Sequence, residues 1–109
     1  MTPDPHATPE PRLTDHGRKR GKERAGLAPG ALKRAAGKAL AEGLKPRDTT
    51  GSLRRYLDKI SIEHPGKHPR VHADHIFIFA DSDLITVLHL PHEYRKSAAS
   101  ARKKKGGEA

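Results

Sequence analysis

The stretch VHADHIFIFADSDLITVLHLP (residues 71–91) decides the fold class. Two β-branched and aromatic runs, VHADHIFIFA and LITVLHL, flank the short segment DSD, and Pro91 ends the second run. Such runs on either side of a turn predict an antiparallel hairpin. Because DSD contains no glycine, it does not have the sequence of a standard two-residue primed turn, and the strand register stays open.

Both faces of this hairpin carry apolar side chains. Simple alternation along the second strand places one set of residues on one face, Thr86, Leu88 and Leu90, and another set on the opposite face, Ile85, Val87 and His89. A hairpin with two apolar faces is central and covered. Two strands alone are marginally stable, so we expect helices against one face or a further strand. The best candidate for that strand is ISIEH (residues 60–64).

Three helices are predicted before the hairpin. The first begins at Thr14 or Asp15, either of which can cap exposed backbone N–H groups, and ends near Gly26. The second begins at Pro29 and ends at Gly43, with apolar residues at the helical period between them.

The third helix begins at Thr50 or Ser52 and is broken by EHPGKHPR (residues 63–70), because proline disfavours helix at the residue before it. The sequence therefore predicts an α+β fold, in which two or three N-terminal helices pack on a small antiparallel sheet with a C-terminal β-hairpin. Residues 13–94 form the single predicted domain. The proline-rich residues 1–12 are expected to be a disordered tail, and residues 95–109 a basic flexible tail with almost nothing to bury.

The charge balance points to a polyanionic partner. Twenty-two Lys and Arg face thirteen Asp and Glu, a formal net charge of +9 on 109 residues. Nucleic acid is the commonest partner of such a surplus, and an anionic membrane surface is the rival. We expect no membrane insertion, since there is no long apolar run, signal peptide or lipidation cysteine. The absence of cysteine also excludes disulfides and thiol catalysis, and without a leader segment we expect a cytoplasmic protein.

The first predicted helix, within DHGRKRGKERAGL (residues 15–27), carries a stripe of chemistry-bearing residues. His16, Arg20 and Arg24 are four apart, so they lie about 40° from one another around the helix axis. Guanidinium groups can hold phosphate oxygens and stabilise a pentacoordinate transition state, and imidazole can transfer a proton near neutral pH. These three side chains could catalyse metal-free cleavage of RNA, a reaction in which the RNA's own 2′-hydroxyl attacks the phosphate.

A second interpretation needs no catalysis. Further basic residues are interleaved with the stripe, namely Arg18, Lys19 and Lys22, and the C-terminal segment adds Arg102, Lys103, Lys104 and Lys105. A helix that is basic nearly all round commonly grips backbone phosphates, with affinity that falls as salt rises. The C-terminal segment is either a nonspecific nucleic-acid anchor or a solubilising tail.

The helix DHGRKRGKERAGL resembles the opening helix of small bacterial and phage domains with the pattern His-x-x-x-Arg-x-x-x-Arg. Those domains are similar to the RelE-like toxins and to the wider group that includes barnase, EndoU and colicin-type ribonucleases. The resemblance extends to a last strand that reads like LITVLHLP (residues 84–91). It covers about residues 13–91, and its motifs are short.

This resemblance implies helices on a curved antiparallel sheet and metal-free RNA cleavage. By position, His16 would be the acid and base, Arg20 and Arg24 would stabilise the phosphorane, and Thr86 would assist. It also raises the prospect of a protein antitoxin as partner. Gly17 departs from the expected alanine, which costs the helix up to ~1 kcal/mol.

Four histidines, His64, His68, His72 and His75, have spacings that would gather metal ligands on a helix. Pro65 and Pro69 forbid a helix there, so we predict no metal site and no cofactor. His75 and His89 remain second-choice acid/base residues on the strands.

The residues therefore leave three functions open. The first is a small RNA-binding protein; if it is catalytic, it would be a metal-independent endoribonuclease. The second is a noncatalytic phage- or plasmid-type accessory protein whose arginines only hold phosphates. The third is a module that docks an acidic protein partner.

Overall fold

The computed structural model describes residues 11–107, and this part of the chain is an α+β globule. Its elements in chain order are β1 (Arg12–Leu13), α1 (Asp15–Ala25), α2 (Pro29–Glu42), α3 (Gly51–Glu63), β2 (His68–His72), β3 (His75–Ala80), β4 (Asp83–His89) and α4 (Arg95–Gly107). Short 3₁₀ turns at Pro46–Asp48 and His92–Tyr94 precede α3 and α4. The predicted fold class is confirmed.

The four strands form a mixed sheet in the order β1-β4-β3-β2. Strands β2, β3 and β4 are antiparallel neighbours, whereas β1 runs parallel to β4 through Arg12 opposite Asp83 and Leu13 opposite Leu84. The antiparallel sheet that the sequence predicts is therefore present in β2, β3 and β4, and the parallel strand β1 makes the whole sheet mixed. The predicted hairpin exists as β3 and β4, but it is not C-terminal because α4 follows it.

The β3–β4 loop is tighter than its sequence indicated. Ala80 pairs with Asp83, so Asp81 and Ser82 alone make the turn, and Asp81 takes the left-handed conformation with φ 54°. Aspartate tolerates this region better than most residues, which is how the loop manages without glycine. A register shift follows, since Ile78 pairs with Thr86 whereas its neighbour Phe79 pairs with Leu84.

This bulge changes the predicted alternation of side chains. Strict alternation would put Leu84 and Val87 on opposite faces, but both belong to the same buried cluster. The residue between the two pairs, Ile85, is the extra one that a bulge inserts.

Buried side chains form one cluster on each side of the sheet. One side packs strand residues Phe77, Phe79, Leu84 and Val87 on α2 residues Leu32, Ala36 and Ala39. The other packs Val71, Ile76, Ile78 and Leu90 on Leu44, on α3 residues Leu53, Leu57 and Ile60, and on Ala98 of α4. The two apolar faces of the hairpin are thus both covered, as expected.

The extra strand is not where the sequence suggested. Residues 60–63 lie in the last turn of α3, where Ile60 is buried in the core. The third antiparallel strand is instead β2, although it contains Pro69. Proline is accepted there because β2 is an edge strand, and its outer edge is bridged by Leu44, whose N–H and carbonyl exchange 2.9 Å hydrogen bonds with Val71.

Both predicted tails differ from the observed structure where they are described. Arg12 belongs to β1, while residues 1–10 and 108–109 lie outside the described residues. Residues 95–107 are helical, and Ala98 is fully buried against the sheet and α3. The predicted flexible segment therefore has a docking site that its sequence alone did not reveal.

Two buried glycines let helix α1 approach its neighbours, Gly17 at strand β4 and Gly21 at helix α2. A Cβ atom at Gly17 would lie 2.3 Å from the carbonyl oxygen of Leu84, and one at Gly21 would lie 2.3 Å from a methyl group of Leu32. No other residue type fits the first position without backbone movement. Gly17 is thus the reason the helix can approach β4, and its cost to helix propensity is offset by that contact.

We expect Gly17→Ala to lower the free energy of unfolding by about 1–3 kcal/mol, because the new methyl group overlaps a backbone carbonyl. Gly30→Ala is the matched control. Its Cβ would meet nothing closer than 3.8 Å, so that variant should be unchanged or more stable by up to ~1 kcal/mol. Urea denaturation measures both, and equal effects at the two positions would contradict the role given to Gly17.

Candidate nucleic-acid interface

The N-terminus of α1 is anchored on the outer edge of β4. The N-cap residue Thr14 accepts a 3.0 Å hydrogen bond from Gly17 N–H through its hydroxyl oxygen. The same hydroxyl donates to the Leu84 carbonyl at 2.9 Å, and the Thr14 backbone N–H donates to that carbonyl at 3.2 Å. One side chain therefore caps the helix and ties it to the sheet.

The C-terminal half of α1 is held by Arg24. Its guanidinium Nη1 donates a 2.8 Å hydrogen bond to the Val87 carbonyl on β4. The backbone carbonyl of Arg24 lies 3.1 Å from Nε2 of His75, whose ring is 5.3 Å from that of His89. A half-buried guanidinium that satisfies a strand carbonyl protects the edge of β4 and fixes the angle of the helix.

The other two members of the predicted stripe occupy different surroundings. Arg20 Nη1 forms a 2.8 Å ion pair with Glu23, and its Nε is buried without a hydrogen-bond partner among the described residues. His16 is exposed to solvent. Along the stripe, the side chains therefore become less exposed, from the solvent-exposed imidazole of His16 to the guanidinium of Arg24, which is bound to the sheet.

Thr86 lies on the far side of the sheet from α1. It pairs with Ile78, and directly paired residues share a face. Ile78 packs with residues of α3 and α4, whereas α1 contributes Ala25 to the opposite cluster. The structure therefore does not bring Thr86 together with His16, Arg20 or Arg24.

A basic hollow lies on the other flank of α1. At about 100° per residue, positions 16 and 18 fall on opposite sides of the glycine face at position 17. The hollow has a volume of about 350 Å³, and its lining includes three cationic residues, Arg12, Arg18 and Lys33, together with Leu13, Pro29 and Gly30. No acidic residue is among them. Sequence reasoning missed it because its cations come from β1, α1 and α2.

The outward side of α1 is also basic. Lys19 and Lys22 are exposed, and Arg18 is 55% exposed with Asp15 3.7 Å away. We call the residues Arg12, Arg18, Lys19, Lys22 and Lys33 the basic face. Its exposed cations can reach phosphate groups without rearrangement of the core.

The predicted C-terminal cations lie on α4. Arg102, Lys103 and Lys104 are exposed. Lys105 is engaged within the protein, since its Nζ donates to Asp48 at 3.1 Å and to the Gly43 carbonyl at 3.4 Å. Lys105 therefore pins the end of α4 to the loop before α3.

The four histidines of the predicted cluster, His64, His68, His72 and His75, are spread over the end of α3 and strands β2 and β3. Within residues 11–107, no group of three or more His, Cys, Asp or Glu side chains is placed to hold a metal ion. His68 stacks on Phe79 and lies 3.0 Å from the Asp81 carbonyl. Burial lowers the pKa of half-buried His72, the Lys38 charge lowers it further, and Glu42 offsets part of the effect.

Comparison with protein-family models, curated protein sequences and solved structures finds no match to this chain. The resemblance to RelE-like ribonucleases therefore stays a prediction. None of the helices within the described part of the chain combines the length and the apolar character needed to cross a bilayer.

The stripe can be dissected by stability measurements. Arg24→Ala should lower the free energy of unfolding by about 1.5–3 kcal/mol, because a charged hydrogen bond to the Val87 carbonyl is lost. His16→Ala should change it by no more than about 0.5 kcal/mol, since the side chain is exposed. Urea unfolding tests both variants, and a fully stable Arg24→Ala protein would contradict the anchoring role.

His72 predicts a pH dependence of stability. The pKa of His72 in the folded chain lies below the ordinary 6.5, so the unfolded chain binds a proton at this residue more readily than the folded chain does. The native protein therefore loses stability as the pH falls through this range. His72→Gln should show less of this loss between about pH 7.5 and pH 5. Urea midpoints compared at the two pH values give the result, and parallel curves for both proteins would contradict it.

Proposed function

We propose that this chain binds nucleic acid, RNA in the first instance, through backbone phosphates held by the basic face. The observation that carries the proposal is the hollow lined by Arg12, Arg18 and Lys33 with no acidic lining residue, next to exposed Lys19 and Lys22. Lysine and arginine side chains from three elements converge there, as phosphate contacts require.

The charge of α1 distinguishes it from α3. Five cations and two carboxylates lie on α1, against three cations and two carboxylates on α3. On α3, Arg54 lies 3.7 Å from Asp58, and Lys59 lies 3.9 Å from Glu63. The larger unbalanced charge of α1 favours it over α3 as a surface that attracts a polyanion. Helix α4 carries six cations and no carboxylate, but one of them, Lys105, is bound to Asp48.

Binding is better supported than cleavage. A cleavage site needs its acid/base and its cations within reach of one phosphate. Arg24 is bound to the Val87 carbonyl, Arg20 is paired with Glu23, and Thr86 belongs to the opposite face. The proposal is therefore a noncatalytic binder that positions a phosphate backbone.

The triple variant Arg18→Ala, Lys19→Ala and Lys22→Ala tests the proposal. Loss of three phosphate contacts should weaken binding of a fluorescent single-stranded RNA and reduce the slope of log K against log salt by about 2. Fluorescence anisotropy across a salt series measures both, with double-stranded DNA as a second probe.

The matched control is the triple variant Arg54→Ala, Arg55→Ala and Lys59→Ala, which removes the same charge from α3. It should retain the affinity and most of the salt slope of the native protein. If both triple variants lost the same affinity for RNA, net charge alone would explain the effect, and the proposal would be overturned. No RNA or DNA binding by the native protein at moderate salt would favour an acidic protein partner instead.

The same RNA, incubated in chelator and examined on a gel, tests cleavage. Binding without chain scission is the expected result for the native protein. Scission that His16→Ala abolishes would overturn the noncatalytic part of the proposal and restore the ribonuclease interpretation.

A further inference from the structure

A second concentration of positive charge surrounds Asp48, where the 3₁₀ turn Pro46–Asp48 meets the end of α4. Asp48 accepts a 2.9 Å hydrogen bond from the Lys45 backbone N–H and a 3.1 Å hydrogen bond from Lys105 Nζ. Burial raises the pKa of Asp48, but these hydrogen bonds, with the charges of Lys105 and Arg47, lower it overall. Asp48 is thus held as an anion among cations.

The cations around Asp48 outnumber it. Repulsion by Arg47, then by Arg70, and also by Lys105, lowers the pKa of Lys45, and the attraction of Asp48 offsets only part of this. Arg70 is half-buried, and its Nε is buried without a hydrogen-bond partner among the described residues. Neighbouring positive charges repel one another, and an anion that binds among them offsets this repulsion.

An open cavity gives an anion access to this cluster. It has a volume of about 220 Å³ and is lined by Arg47, Asp48, Ala101, Lys104 and Lys105. Pockets for drug-sized ligands run from roughly 300 to 1,000 Å³, so this one suits a smaller group. Arg47 and Lys104 are exposed at its rim and have side chains long enough to close over a ligand.

We propose that this cavity binds a phosphate group between Arg47, Lys104 and Lys105. Tetrahedral phosphate presents oxygens in several directions, which suits one planar guanidinium and two ammonium donors from separate elements. Bound there, the anion links the loop before α3 to α4 and balances the charge that Asp48 leaves uncompensated. A free phosphate and the phosphodiester of a nucleic acid share this chemistry.

The site does not rest on the proposed function of α1. Leu44, next to the cluster, pairs with Val71 on β2, and β2 and β1 are the two outer strands of the sheet. Helix α2 also separates the two basic regions: Pro29 and Gly30 at its start line the basic hollow, whereas its C-cap Gly43 accepts the hydrogen bond from Lys105. A helix of 14 residues is about 20 Å long.

The test follows backbone amide signals by nuclear magnetic resonance while inorganic phosphate is added to the full chain, with sodium chloride at equal ionic strength as reference. Amides of Lys45, of residues 47–49 and of residues 101–105 should shift with phosphate and not with chloride. A short single-stranded RNA is the second arm, because a shift there with RNA alone would identify the backbone phosphodiester as the ligand. No specific shift in either arm would overturn the proposal.

Variants confirm the location. Arg47→Ala with Lys104→Ala should weaken the affinity of the ligand for these amides by about tenfold or more, since two charged donors are lost. Arg54→Ala with Arg55→Ala removes equal charge from α3 and should leave the affinity unchanged. The α1 triple variant should also keep phosphate binding here, which separates failure of this site from failure of the α1 interface. An equal loss of affinity in the two double variants would overturn the proposed site.

Discussion

The close approach of α1 to the edge of β4 is the contact on which the arrangement of the other elements depends. Gly17 lets the helix touch the Leu84 carbonyl, where a side chain would collide. That proximity allows Thr14 and Arg24 to bond strand carbonyls at the two ends of the same helix. A polar helix with few apolar residues is thereby held mainly by backbone contact and hydrogen bonds, and an exposed strand edge is covered.

This mode of packing also sets which side of α1 is available to a ligand. Side chains near the glycine face, Arg20 and Arg24 among them, are drawn into contacts with the protein itself. Those beyond it, such as Arg18 and Lys22, remain at the surface. One helix thus divides its cations between anchoring and recognition, and a regular His/Arg spacing does not reveal the division.

Local signals in the sequence predicted local structure well. The N-cap at Thr14 and the left-handed C-cap at Gly26 are both present, and the two runs of residues 71–91 supply the strands of the predicted hairpin. What the sequence did not predict depends on partners far along the chain. Strand β2 is stable despite Pro69 because Leu44 bridges its edge, and α4 forms where Ala98 finds a buried site.

In the candidate site, too, the sequence predicted local structure and not the long-range contacts. The spacing of His16, Arg20 and Arg24 correctly placed them along one helix, but their surroundings depend on Val87 and on which face of the sheet the helix covers. Thr86 was misplaced relative to the helix for that reason. The basic hollow combines Arg12, Arg18 and Lys33, and three elements that meet only in the folded chain give no sequence motif.

The contacts that fix α1 join residues far apart in the chain, with separations of 70 residues for Thr14 to Leu84 and 63 for Arg24 to Val87. During synthesis from the N-terminus, the helix made first must therefore wait for one of the last strands before it can dock on the sheet. Two glycines and a polar composition give it little stability alone. The growing chain thus carries a cationic segment with few stabilising contacts until β4 emerges, and α1 takes its fixed position beside the basic hollow only when that strand is in place.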